Sequence, residues 1–123
     1  MEKLEKDEER EERIEMEAIV DAYGSEEQAM GWYYYLKDKI TFPFKAQCIN
    51  ERSISPLQKG EKVEVIEMAP EEDCMCEMFV IINWMNRTLG VPLAQLDPLQ
   101  MDDETEEAIA DWHYWVGRGY QLC

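Results

Sequence analysis

Positive charge is what this sequence is short of. Only 12 Lys and Arg stand against 28 Asp and Glu, leaving a formal charge of −16 over 123 residues. Binding to phosphate backbones runs on Lys and Arg, so direct nucleic-acid binding is excluded and a cation or a basic protein surface is the partner this charge selects. Long apolar runs are missing too. No stretch approaches the roughly 20 apolar residues that cross a bilayer, and the N-terminus is charged throughout, so neither a membrane anchor nor a signal peptide is expected and the cytoplasm is the expected location.

Histidine occurs once, as His113 within Trp112-His113-Tyr114-Trp115. A lone histidine in an aromatic helix reads as a packed, hydrogen-bonded residue before it reads as a catalyst. No glycine-rich phosphate loop is present and no serine or cysteine has a recognisable base beside it, so the sequence carries no sign of an enzyme. The four cysteines, Cys48, Cys74, Cys76 and Cys123, are expected to be free thiols in a reducing compartment. Cys74-Met75-Cys76 is flanked by acids that raise a thiol pKa, which disfavours redox chemistry. A zinc site from Cys74, Cys76 and His113 would lack the usual paired spacing.

What the chain has in excess is carboxylate, and it is bunched. Glu71-Glu72-Asp73, followed by Glu77, interrupts two apolar runs, and Asp102-Asp103-Glu104-Thr105-Glu106-Glu107 opens the last helical pattern. Carboxylates this close repel one another unless a cation joins them. Calcium takes six to eight oxygen ligands in irregular geometry, so calcium ions are the cofactor this pattern favours. The EF-hand spacing is absent, and a site would have to be assembled from separate segments.

The length suits one domain. Residues 1–24 read as a charged helical arm, with opposite-charge pairs at helical spacing (Glu2/Lys6, Glu9/Arg13) and a thin apolar stripe of Leu4, Ile14 and Ile19. This arm is expected to be a solvated, frayed helix or a contact for a second protomer. Residues 25–123 read as a single calcium-binding domain. Ser25 is the expected N-cap of a helix over Glu26–Lys39, with Ala29, Tyr33, Leu36 and Ile40 on one face; its aromatic run, Trp32 to Tyr35, is expected to pack against a sheet. The period then changes to two: strands are expected from Phe42, over Lys62–Met68, over Met78–Met85 and over Leu89–Leu93, with a turn at Asn86-Arg87. Val91 to Leu96 suggests a single helical turn. A last helix carries Ala108, Ile109, Trp112, Trp115 and Val116 as its apolar stripe and ends at Gly117 and Gly119. The fold class is α+β: a small SH3-like β-barrel or strongly twisted antiparallel sheet, flanked by N-terminal and C-terminal helices.

In a barrel of this order the Glu51 connection, the Glu71–Asp73 loop and the turn before Asp97 would flank one rim, with Asp38 facing it from the end of the first domain helix. The candidate ligands are therefore Asp38, Glu51, Glu71, Glu72, Asp73, Glu77 and Asp97. Asp103, Glu107 and Asp111, at i, i+4 and i+8, form a weaker second set, because acids in a first helical turn are already stabilised by the helix dipole. The alternative is an acidic interaction module that binds a basic regulatory protein partner and mimics nucleic acid. The oligomeric state is not written in these residues.

From Trp32 to Tyr120 the chain resembles the CcbP-type calcium-binding proteins of cyanobacteria and other bacteria. The likeness is carried by Tyr35-Leu36, Phe42-Pro43-Phe44-Lys45-Ala46, Ile54-Ser55-Pro56-Leu57, Met68-Ala69-Pro70-Glu71-Glu72, Val91-Pro92-Leu93 and Asp111-Trp112-His113-Tyr114-Trp115. The resemblance implies a small acidic cytosolic protein that binds calcium without EF-hands, as a buffer. It supplies no ligand motif, and the arm before Asp21 falls outside it.

Overall fold

The structure, a computed structural model, describes residues 5–123, so Glu2 and Leu4 of the expected arm lie outside the described residues. Asp7 caps α1 (Glu8–Arg13) by accepting from the Arg10 amide, and the chain continues into a π-helical turn, Ile14–Ala18. Helix α2 spans Ser25–Lys39. Its N-cap is Gly24 rather than the expected Ser25, which is already helical. Five strands follow: β1 (Phe44–Cys48), β2 (Lys62–Met68), β3 (Phe79–Trp84), β4 (Arg87–Pro92) and β5 (Leu96–Pro98); α3 (Asp103–Gly117) closes the chain. The first strand begins at Phe44 rather than at Phe42 as expected, and the Phe42–Pro43 bond is cis.

The strands form one antiparallel sheet in the order β4-β3-β2-β1-β5. The edge strands β4 and β5 are joined by nothing longer than the 3-10 turn Leu93–Gln95. Two opposite edges linked by three residues require a sheet that curls back on itself, so the twisted-sheet form of the expected fold is the one adopted, without a ladder between β4 and β5 among the described residues. The β3–β4 hairpin turns on Met85 and Asn86, both at positive φ, one residue earlier than the sequence suggests. Two central residues with positive φ match the twist of the flanking strands.

The core lies between the concave face of the sheet and the crossed helices α2 and α3. Val65, Val80 and Ile82 are fully buried from the sheet side, and Trp32, Leu36, Ile109 and Trp112 from the helices. The aromatic run of α2 divides its duties rather than all facing the sheet. Trp32 meets Trp112 edge-on at 5.1 Å and Trp115 at 5.6 Å, whereas Tyr33 reaches the end of β2 and donates its hydroxyl to the Ala69 carbonyl at 2.7 Å.

The sequence makes the N-terminal arm a solvated helix; in the structure its described part is clamped. Arg10 and Arg13 both bind Asp111 of α3, Tyr114 accepts from the Asp7 amide and donates to Glu11, and Ile14 and Ala18 are buried in the common core. The arm also crosses α2 closely, since a Cβ on Gly31 would stand 2.3 Å from the Ala18 carbonyl oxygen. Gly31→Ala is accordingly expected to destabilise the fold. Alanine's better helix propensity offers about 1 kcal/mol, but forcing backbone away from backbone typically costs about 1–3 kcal/mol. A urea midpoint equal to or above that of the parent protein would show that the crossing yields freely.

Candidate metal centre

The most compact group of carboxylates sits between β2 and β3. Pro70 leads into a 3-10 turn, Glu71–Asp73, in which the Asp73 amide bonds the Pro70 carbonyl and the Cys74 amide bonds the Glu71 carbonyl. The backbone of the turn is thus self-satisfied, and its three acidic side chains are all exposed. Behind it Cys74 is buried, accepting from the Phe79 amide; burial pushes its thiol pKa up. Tyr34 of α2 donates its hydroxyl to Glu71, and that bond raises the tyrosine's pKa. Glu77, just beyond the turn, is held by Arg52 from the β1–β2 connection. The connection that carries Glu51 thus touches the 71–77 segment through Arg52 on Glu77, not through Glu51 itself.

The other candidates are more scattered. Asp38 stands one helical turn after Tyr34 on α2, exposed, and lines a cleft of about 400 Å3 with Glu17, Tyr34 and Lys39. Glu51 is exposed and accepts from the Lys59 amide at 3.3 Å, closing its own loop. Asp97 lies on β5 opposite Gln47, exposed. Asp103 lies in the first turn of α3 and Glu107 one turn later, 3.6 Å from Arg13. Asp111 does not share an open face with them: it is fully buried, with Arg10 at 2.6 Å, Arg13 at 2.7 and 3.0 Å and the Tyr35 hydroxyl at 2.7 Å on its two oxygens. The bond to Asp111 holds Arg13 more firmly protonated, and burial, reinforced by the same carboxylate, raises the Tyr35 pKa.

Among the described residues no three His, Cys, Asp or Glu side chains already converge as a metal cage. The available donors of the Glu71–Glu77 segment are nevertheless carboxylates, since Cys74 is buried and Cys76 is tied up in a disulfide, and such hard oxygens suit calcium and leave zinc poorly served. The zinc alternative fails on connectivity as well, because Cys76 is joined to Cys123 in a disulfide. This also corrects the expectation of four free thiols; only Cys48 and Cys74 are free. The cause is the C-terminal tail, which buries Leu122 and so carries Cys123 to the acidic loop, 5.2 Å from Cys76 between Cα atoms.

His113 is largely buried, and its Nε2 has no hydrogen-bond partner. Burial lowers its pKa, partly offset by the Leu93 and Leu96 carbonyls and the charge of Asp97. The folded chain therefore binds this proton more weakly than the unfolded chain, whose histidine titrates near 6.5. Its stabilising contribution is complete above pH 6.5 and is lost as pH falls through the window below, with a slope of at most about 1.4 kcal/mol per pH unit. Urea midpoints should thus fall between pH 7.5 and 5.5, and His113→Gln should flatten that fall. An unchanged slope in the variant would assign it elsewhere.

Sequence patterns did not single out Arg10 or Arg52, and they gave Arg13 to an exposed pair with Glu9 and Tyr34 to an aromatic run packed on the sheet. For the arginines a signal existed: Arg10, Arg13 and Ile14 fall on one helical face, and Asp111 interrupts an apolar stripe.

The CcbP family, described as calcium binding, matches residues 12–116. The crystal structure of Anabaena CcbP is 43% identical, with 98% of each chain covered and a TM-score of 0.86. A calcium binding protein in its calcium-binding form is 42% identical over the same shares, with a TM-score of 0.85. No curated protein matches the chain. With so much of its length matched at such identity, the chain belongs to the CcbP family of calcium-binding proteins.

Proposed function

We propose that this chain chelates calcium reversibly without an EF-hand and serves as a buffer, and that its principal site is built on Glu71, Glu72 and Asp73 with Glu77 and Asp38 contributing. The observation that carries this reading is the exposed triple-acid turn, tied to α2 by Tyr34. Calcium would supply the charge that lets these carboxylates approach; backbone carbonyls and water would complete the six to eight oxygens it takes. The chain's own residues orient the donors. Tyr34 fixes Glu71, and Arg52 neutralises Glu77 in the meantime. Glu51, Asp97, Asp103 and Glu107 sit on separate segments and are assigned outer, weaker roles, and Asp111 is assigned to the ion pair that holds the arm.

A buffer is favoured over a sensor because the turn is anchored on both sides, before it by buried Ala69, whose carbonyl accepts from Tyr33, and after it by buried Cys74 and the Cys76–Cys123 disulfide. An anchored loop takes up an ion with little movement, so calcium should leave the scattering radius unchanged. The reading is tested by titration calorimetry of metal-stripped protein at about 0.15 M salt with magnesium as competitor. Saturable, magnesium-resistant binding is expected, and Glu72→Gln or Asp38→Asn should each weaken it about tenfold, ~1.4 kcal/mol. Glu9→Gln should not. Equal effects at all three positions would replace chelation with diffuse electrostatics.

A further inference from the structure

Two clefts adjoin along the outer side of α2, sharing Val20 and Met30. The first, about 400 Å3, runs toward the helix C-terminus, and the second, about 720 Å3, toward its N-terminus. Together they make one groove between α2 and the arm. Its floor is apolar and open to solvent: Val20 is 51% exposed and Tyr34 44%, with Met16 at 66% and Tyr23 at 87% on the neighbouring arm. Its walls are acidic. Glu17 and Asp38 stand at one end, and Asp21, Glu26 and Glu27 at the other. Lys39 is the one basic residue of the lining, and it is shared between Glu17 and Glu104 at 3.8 Å each.

An apolar floor of this kind marks an interaction surface, and charge decides what fits it. A second copy of this chain would bring another −16 against the same five acids, and nucleic acid or an anionic membrane would be repelled in the same way. A segment that covers Val20, Met30 and Tyr34 while meeting the acids at both ends must be apolar on one side and basic at its flanks. From Glu26 to Asp38 the groove follows twelve residue steps of α2, about 18 Å at 1.5 Å per step, the length of a helix of just over three turns.

We propose that this groove is a docking site for a basic amphipathic helix of a partner protein, with apolar residues at i, i+3, i+4 and i+7 over Val20 and Met30 and Lys or Arg at each end. The groove is preformed. The arm that makes one wall is fixed by Arg10 and Arg13 on Asp111 and by the backbone crossing at Gly31, so little ordering is left to oppose binding. The groove shares Asp38 and Tyr34 with the proposed calcium site, but its argument does not rest on calcium binding.

The test uses the full chain in chelator, so that loss of calcium binding and loss of this site are read apart. A synthetic 14-residue Leu/Lys peptide with amphipathic helical spacing is titrated at about 0.15 M salt beside a scrambled peptide of the same composition. Micromolar binding of the amphipathic peptide, at least tenfold tighter than the scrambled one, is expected. Val20→Asn and the pair Glu26→Gln/Glu27→Gln should each weaken it fivefold or more, while calcium affinity of Val20→Asn stays at the parent value; all three positions are at the surface, and circular dichroism checks the fold. Equal binding of the two peptides would reduce the interaction to net charge and overturn the proposal. So would no binding, or tight binding that Val20→Asn leaves intact.

Discussion

Replacing Arg10 and Arg13 together by alanine is expected to lower the unfolding free energy by about 3–5 kcal/mol, the range typical when a buried charge loses its partners. Asp111 is fully enclosed, and the guanidiniums of Arg10 and Arg13 pair with it, supported by the Tyr35 hydroxyl. The single variants should be unequal. Arg13 grips both oxygens through Nε and Nη2, whereas Arg10 reaches only Oδ1, so Arg13→Ala should be the more damaging. Adding Asp111→Asn to the double variant should recover part of the loss, because a neutral amide no longer demands a counter-charge. Urea denaturation reads all four proteins. A double variant within about 1 kcal/mol of the parent would mean that water reaches Asp111 once the arginines are gone, and that the arm is not clamped by this pair.

The same cluster marks where sequence reasoning reaches its limit. The strands were legible because alternation over Lys62–Met68 and the apolar run before Met85 follow directly from a sheet with one face to bury. Helix α3 was legible from its stripe, and the triple acid at Glu71 from its break in pattern. The spacing i, i+4 and i+8 puts Asp111 with Asp103 and Glu107 on one helical face, because such positions are close on a helix. Over eight residues, however, the 3.6 period advances the direction by a further 80°, which is enough to carry Asp111 from the exposed side into the stripe of Ala108 and Trp115. Burial then selected arginine partners from a segment about 100 positions away. Contacts of that kind depend on which helices cross, and no local period encodes a crossing. For the same reason the separate rim acids could be named but not brought together.

Cysteine pairing is the other long-range relation, and it leads to the second large effect. Cys123→Ser, or reduction of the parent protein, opens a ring closed across 47 positions. In the chain-entropy account, removing a cross-link over a loop of that size returns about 4 kcal/mol to the unfolded ensemble. The native side of the balance is less affected, since buried Leu122 still anchors the tail through apolar contact. The expected result is therefore a variant with near-native circular dichroism and a urea midpoint lowered in proportion to about 4 kcal/mol, with the slope of the transition steepened as the unfolded chain expands. Cys76→Ser should match it, and the double variant should cost no more than either single change, because the bond can be lost only once. Calcium offers a further discrimination. If the disulfide also orders the 71–77 segment, the single variants lose calcium affinity as well as stability; if affinity is retained, the anchoring of the acidic turn falls to Cys74, Tyr34 and the 3-10 backbone bonds alone. A Cys123→Ser protein as stable as the parent under non-reducing conditions would show that the two sulfurs are not joined in solution.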